Sequence, residues 1–357
     1  MSYQLKTSLN SSLITPNSVR AKRPVTANRT EEWLIYALGG GWGHLTRALS
    51  LGRIAANHIK VRIITNSPYA QQVGDEGCLV HWIPDNIGFS ATCKQVREIL
   101  CNTHYNRLII DTFPRGLGGE LADILPQLHY LPRILIHRDI NPRYVTAKGL
   151  RSFVVENFDL VIVPGEGEDL SLCDLPCVQH TAPWLIRNAW ELPDRITVRS
   201  HILKVDQSVK TILVCATGQA SELHIFGQIA LNLHKNFPKY AVRILAANCP
   251  ANCPQVLWIS HQPGIECLIA ADVVVGGAGY NTVYECVSVG VPLVALAFPR
   301  LYDRQAKRAS KAYLVKDIEE VIATVGILLD QIQPRNNSYV PSYINGAVQA
   351  AQHNYEL

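Results

Sequence analysis

Short apolar runs recur along the chain, and each stops at a polar or glycine-rich turn. In the first half they occupy 33–38, 60–65, 107–110, 133–136 and 160–163. In the second half they occupy 211–215, 242–246, 256–259 and 272–275, with one more after Pro292 that ends at Ala297. Near-continuous β-branched runs of this kind predict strands covered on both faces, as in a parallel sheet. Between them the apolar period lengthens. Leu45, Ala48, Leu49 and Gly52 recur at helical spacing, and helices are predicted from Glu222 to Phe237 and through Gln305 and Lys307. A last helix, 342–353, stands apart after Pro341. Strands alternating with helices predict an α/β fold.

The alternation breaks over 181–208, where Pro183, Trp184, Pro193 and mixed charges intervene. This predicts a first domain over 31–185, a linker over 186–208 and a second domain over 209–335, followed by a terminal segment over 336–357. Residues 1–30 show no period. They carry Lys6, Arg20, Lys22, Arg23 and Arg29 with no acid before Glu31. A disordered basic tail is expected there.

Composition narrows the classes. Of 357 residues, 48% are hydrophobic and 17% charged, which excludes wholesale disorder. The net charge of +4 and the lack of a dense Lys/Arg face argue against nucleic acid as a partner. A weakly basic surface suits a nucleotide substrate or anionic lipid, so peripheral membrane contact stays open. The ten cysteines are scattered and read as reduced thiols of a cytoplasmic protein. Cys173/Cys177 and Cys249/Cys253 have ligand-like spacing but no partner pair, so no metal site is expected. No apolar run reaches the roughly 18–20 residues of a membrane-spanning helix.

Two glycine turns carry the candidate chemistry. In 271–292, ADVVVGGAGYNTVYECVSVGVP, a strand runs into Gly276, Gly277 and Gly279 and then a helix. Asn281 and Thr282 can cap that helix, and its free N–H groups make an anion site. Glu285 lies four residues beyond Asn281, on the same face. A carboxylate there can accept two hydrogen bonds from a vicinal diol such as ribose. Phosphate and ribose together describe a nucleotide site. In the first half, Gly39-Gly40-Gly41-Trp42-Gly43-His44 follows the first strand. It is not a dinucleotide fingerprint, since Thr46 stands where the third glycine belongs and the next strand ends in Thr65-Asn66 without an acid. His44 sits at a helix start, where the dipole disfavours protonation, and is a candidate base. Asp111, His137, Arg138, Asp139 and Glu166 follow strand ends and are expected in cleft-facing loops. Asp111 is expected as a base or as the partner orienting His44.

The run GGAGYNTVYE, then GVP, then Asp303-Arg304-Gln305, resembles the donor-binding region of GT-B nucleotide-sugar glycosyltransferases. The closest pattern is family 28, which includes the peptidoglycan N-acetylglucosaminyltransferase. GHLTRAL also resembles a loop of related sugar-nucleotide hydrolases. The resemblance is stronger in the C-terminal half. It implies two Rossmann-like domains facing a cleft, with the C-terminal helix crossing back onto the first. It implies transfer of a sugar from a nucleoside-diphosphate donor, UDP by expectation, to a hydroxyl acceptor, inverting and without metal or cofactor. Glu285 would hold the ribose, and Gln305 with Asp303 the donor sugar. Thr217, Gly218, Gly277 and Gly279 would line the diphosphate, with Tyr280, Asn281 and Thr282 in the same turn. Arg187 would face the diphosphate and His261 the base, while Gly41 and Gly43 form the first-domain loop. Phe89, Phe113 and Leu117 are available to a lipid-linked or small-molecule acceptor. A hydrolase or epimerase of the same fold remains open. So does a non-catalytic sugar-nucleotide-binding subunit, because the stretch 309–328 is short for the family.

Overall fold

The computed structural model describes residues 31–165, 167, 170–218, 220–300, 303–333 and 338–356. The basic segment 1–30 and Glu166 lie outside them. Seven strands form the first sheet: β1 (Glu32–Tyr36), β2 (Lys60–Thr65), β3 (Leu79–Trp82), β4 (Arg107–Asp111), β5 (Arg133–Ile136), β6 (Leu160–Pro164) and β7 (Val178–Thr181). Six form the second: β8 (Thr211–Cys215), β9 (Ala241–Leu245), β10 (Trp258–Ile259), β11 (Val273–Gly277), β12 (Leu293–Leu296) and β13 (Tyr313–Val315). The orders are β3-β2-β1-β4-β5-β6-β7 and β10-β9-β8-β11-β12-β13, parallel throughout. Each order reverses beside its first strand, at β1/β4 and at β8/β11. A crevice opens beyond the strand ends at such a switch point. The turns after β1, β4, β8 and β11 are therefore the ones placed to bind.

The central strands follow the apolar runs closely. The unpredicted strands β3, β7 and β13 are edges or near-edges with exposed positions, so no continuous apolar run marks them. The 309–328 stretch also holds more than expected. It contributes β13 and the helix Ile318–Gln331, capped by Asp317, whose Oδ1 accepts from Glu320 N at 2.9 Å.

The segment expected as a linker is ordered in part. Arg195–Thr197 and Val198–Leu203 form consecutive helical turns. Their two arginines run back to Asp272, just before β11.

The terminal helix begins later than expected, at Gly346, and runs to Glu356. It packs on the helix Trp42–Ala55 and on β7 of the first half. Asn345 ties it down: its Oδ1 accepts from Leu185 N and Ala347 N, both at 3.1 Å, and its Nδ2 donates to Leu185 O at 2.8 Å. A Cβ on Gly346 would lie 1.7 Å from the Ala182 carbonyl oxygen. Gly346→Ala should therefore lift this helix and cost about 1–3 kcal/mol in a denaturant titration. An unchanged midpoint would show that the contact is not tight.

Candidate active site

Between the strand ends of the two sheets lies a cleft of about 590 Å³. Gly41, Gly43, His44, Arg187, Thr217, Gly218, Gly279, Tyr280, Asn281, Thr282, Glu285, Asp303 and Gln305 all line it. Gly277, His261, Asp111 and the completely buried His137 do not. Gly277 lies within β11, and a Cβ there would face Phe298 and Phe226 at 3.9 and 4.0 Å. His261 turns its Nε2 to Glu266 at 2.8 Å. Asp111 lies behind His44, completely buried.

Burial changes what Asp111 can do. Its Oδ2 lies 2.6 Å from His44 Nδ1. Arg47, also completely buried, donates Nε to Oδ1 at 2.9 Å and Nη2 to Oδ2 at 2.7 Å. Burial alone would raise the Asp111 carboxyl, but Arg47 and then His44 outweigh it and hold it well below the usual carboxylate range. A carboxylate so engaged is an orienting partner, not a base. It accepts the proton on Nδ1, which leaves Nε2 as an acceptor. The imidazole keeps 19% of its surface exposed. Burial lowers His44 below its ordinary 6.5, and Asp111 offsets this only in part. The surroundings therefore favour the neutral ring.

Two backbone features build this arrangement. Gly39 has φ +148°, and a Cβ there would come within 2.3 Å of His44 Cδ2. Only glycine lets the ring fold back over the turn. Thr112, next after Asp111, sits at φ +71°, an uncommon conformation for a threonine. It turns its hydroxyl to Arg47 Nη2 at 3.3 Å.

On the opposite wall, Gly279 is the N-cap of the helix Tyr280–Ser288, with no side-chain cap bond. Asn281 and Thr282 lie inside the first turn and are not caps. Their N–H groups remain available to an anion. The Thr282 methyl packs where Gly276 has no side chain, 3.2 Å from its virtual Cβ. Glu285 is nearly buried, and that burial pushes its carboxyl up to about 7. Tyr280 takes the Trp184 N–H on its hydroxyl at 3.0 Å, and its ring lies beneath Arg47, Arg138 and Arg308. Arg187 is held between Glu76 at 2.9 Å and Glu266 at 2.8 Å. Glu222 sits beside Gly218 and pairs with Arg300, Nη2 at 2.8 Å.

Several site residues carried no sequence signal used above. Arg47 stands three residues after His44, a spacing that puts both on one helix face and marks it in retrospect. Arg300 lines the cleft. Tyr69 stacks on Trp42 with ring centres 4.6 Å apart and reaches Gly218 O at 3.3 Å, across the cleft.

The same architecture is found in solved structures. The chain is similar to the glycosyltransferase SsfS6 of Streptomyces sp. SF2575 in complex with thymidine diphosphate. Identity is 14% over 92% of this chain and 100% of that one, with a TM-score of 0.59. The calicheamicin glycosyltransferase CalG4 matches at 13% identity over 92% and 98%, TM-score 0.58. MurG of Acinetobacter baumannii matches at 14% over 90% and 95%, TM-score 0.50. No protein-family model and no curated protein matches the chain. Two parallel sheets of matching topology, a cleft at their facing switch points and these likenesses together give the chain the GT-B fold of nucleotide-sugar glycosyltransferases.

Proposed function

We propose that the chain is a glycosyltransferase that moves a sugar from a nucleoside-diphosphate donor to a hydroxyl acceptor. The observation that carries this reading is the His44–Asp111–Arg47 relay, which opens onto the same cleft as the Tyr280 helix start and Glu285. In this mechanism His44 Nε2 takes the acceptor hydroxyl proton. The acceptor oxygen then attacks the anomeric carbon as the bond to the diphosphate oxygen breaks, and a single displacement inverts the centre. The first-turn N–H groups of the helix and Arg300 meet the charge on the leaving diphosphate. Asp139 and Asp303 are both engaged by arginines, which supports stabilisation by N–H groups and guanidinium over a metal. Glu285 accepts from the ribose hydroxyls. Phe113 and Leu117 line the acceptor side and favour an acceptor with an apolar part.

The base is proposed to be a pyrimidine. Uridine is the expectation from the family resemblance, and thymidine diphosphate occupies the SsfS6 neighbour. Thermal stabilisation by UDP, TDP, GDP and their sugar conjugates tests this. A nucleotide at ~100 times its dissociation constant should add about 2.7 kcal/mol, and Glu285→Ala should remove most of it. No shift with any nucleotide would sink the donor-site reading. Release of nucleotide without acceptor would point to a hydrolase.

A pH series adds a second check. Glu285, raised to about 7 by burial, is largely protonated at pH 6 and ionised at pH 8. Ribose hydroxyls donate better to the ionised form, so affinity should rise over this interval. Glu285→Gln should flatten that rise, and an unchanged slope in the variant would assign it to another group.

A further inference from the structure

The two halves also meet through mirrored charge motifs. Arg138-Asp139 follows β5 in the first half, and Asp303-Arg304 follows β12 in the second. Each cation faces the other motif's anion. Arg304 Nε lies 2.9 Å from both oxygens of Asp139, and its Nη2 bonds Oδ1 as well. Arg138 Nη2 lies 3.6 Å from Asp303 Oδ1, which also accepts from Arg308 Nη2 at 2.9 Å. Ile140 and Asp303 form an antiparallel backbone bridge beside these pairs. The Asp139 side chain is only 4% exposed. Exposed ion pairs contribute little, but removing one partner of a desolvated pair leaves a stranded charge.

The position of the clamp gives it meaning. Arg138 lies over the Tyr280 ring, 4.7 Å from its centre, and close enough to His44 to disfavour its protonation. Gln305 directly follows Arg304, and its Oε1 accepts from Phe298 N at 3.0 Å. His44, Arg138, Asp139, Asp303 and Gln305 line one cleft.

We infer that Asp139 and Arg304 are positioning residues whose ion pair, with Arg138–Asp303 beside it, fixes the Asp303–Gln305 turn so that the donor's sugar is held opposite His44. This rests on the donor reading of the cleft given above. The nucleotide contacts, Glu285 and the Gly279–Thr282 turn, belong to the second half alone. The clamp therefore acts on the sugar and not on the nucleotide.

The test uses the full chain with Asp139→Ala, Arg304→Ala and both together. The probes are UDP and UDP-N-acetylglucosamine, or TDP and TDP-glucose where thymidine is preferred. Each single variant should bind the sugar conjugate about tenfold more weakly while binding the bare nucleotide within about twofold of wild type. The double variant should be no weaker than either single one, because the second truncation removes a partner already lost. Backbone hydrogen exchange over β12 and 303–308 should quicken in all three. Equal weakening of conjugate and bare nucleotide, losses that multiply in the double variant, or unchanged exchange would each overturn the proposal. A wild-type chain that binds no nucleotide sugar would defeat the donor reading itself. That is a separate result, recognisable because exchange in the variants still responds.

Discussion

His44→Ala is expected to lower kcat for sugar transfer by about a hundred- to ten-thousand-fold, the usual contribution of a positioned general base. The nucleotide should still bind, because its proposed contacts lie on the helix Tyr280–Ser288 across the cleft. Loss of both binding and turnover would mean that the substitution disturbs the fold instead. Asp111→Asn should cost nearly as much by a different route. It keeps the shape but removes the charge that accepts the Nδ1 proton, and it leaves buried Arg47 without its counter-ion. The pH profile carries the sign. A base must be neutral to work, and burial depresses His44 below 6.5. At saturating donor, where the Glu285 effect on affinity drops out, kcat should therefore be flat near neutrality and fall only as pH drops through that lowered value. An acid limb in that kcat centred above 6.5 would exclude His44 as the titrating base. With Asp111→Asn the limb should move lower still, because the carboxylate is what favours the imidazolium.

The legible part of this molecule is the part built by local pattern. β5 and β8 coincide with the apolar runs because each is covered on both faces, and β2 does so although Lys60 and Arg62 leave one face partly open. The i, i+4 spacing puts Asn281 and Glu285 on one helix face after the glycine turn, and both line the cleft together with Gly279. What escaped depends on partners distant in sequence. His261 is implied as a base contact by the family resemblance alone, and only the fold shows Glu266 taking its Nε2. Gly277 looked like its neighbours but falls one step inside the strand. Asn281 and Thr282 are good capping types, yet Gly279 already starts the helix, so capping is not their role. Arg187 lines the cleft, but its ion pairs with two glutamates, one from each half, left no trace in the sequence. Asp272 was read as the first residue of a strand, with no hint that it anchors the segment between the domains.

That anchoring makes Asp272→Ala the stability variant with the largest expected effect, about 3–5 kcal/mol. Asp272 is 2% exposed, and its Oδ2 accepts the Thr211 N–H at 2.7 Å, joining the start of β8 to that of β11. Its Oδ1 takes Arg195 Nη2 at 2.7 Å, and Arg199 Nη1 lies 3.6 Å from Oδ2. Both arginines are buried and spend further donors on carbonyls: Arg195 Nη1 on Ile269 O at 2.9 Å, Arg199 Nη1 on Ala270 O at 3.0 Å. Removing the carboxylate would leave two buried guanidiniums with no counter-charge from this residue. Their cost, more than any lost attraction, sets the size of the effect. A denaturant titration followed by far-UV circular dichroism should show the loss. Asp272→Leu with Arg195→Met and Arg199→Met separates the two contributions. If stranded charge dominates, the triple variant should be more stable than Asp272→Ala despite losing every polar contact. If the triple variant is the weaker of the two, the network stabilises by its own attraction. The segment 195–203 would then be held to the second sheet by hydrogen bonds that apolar packing cannot replace.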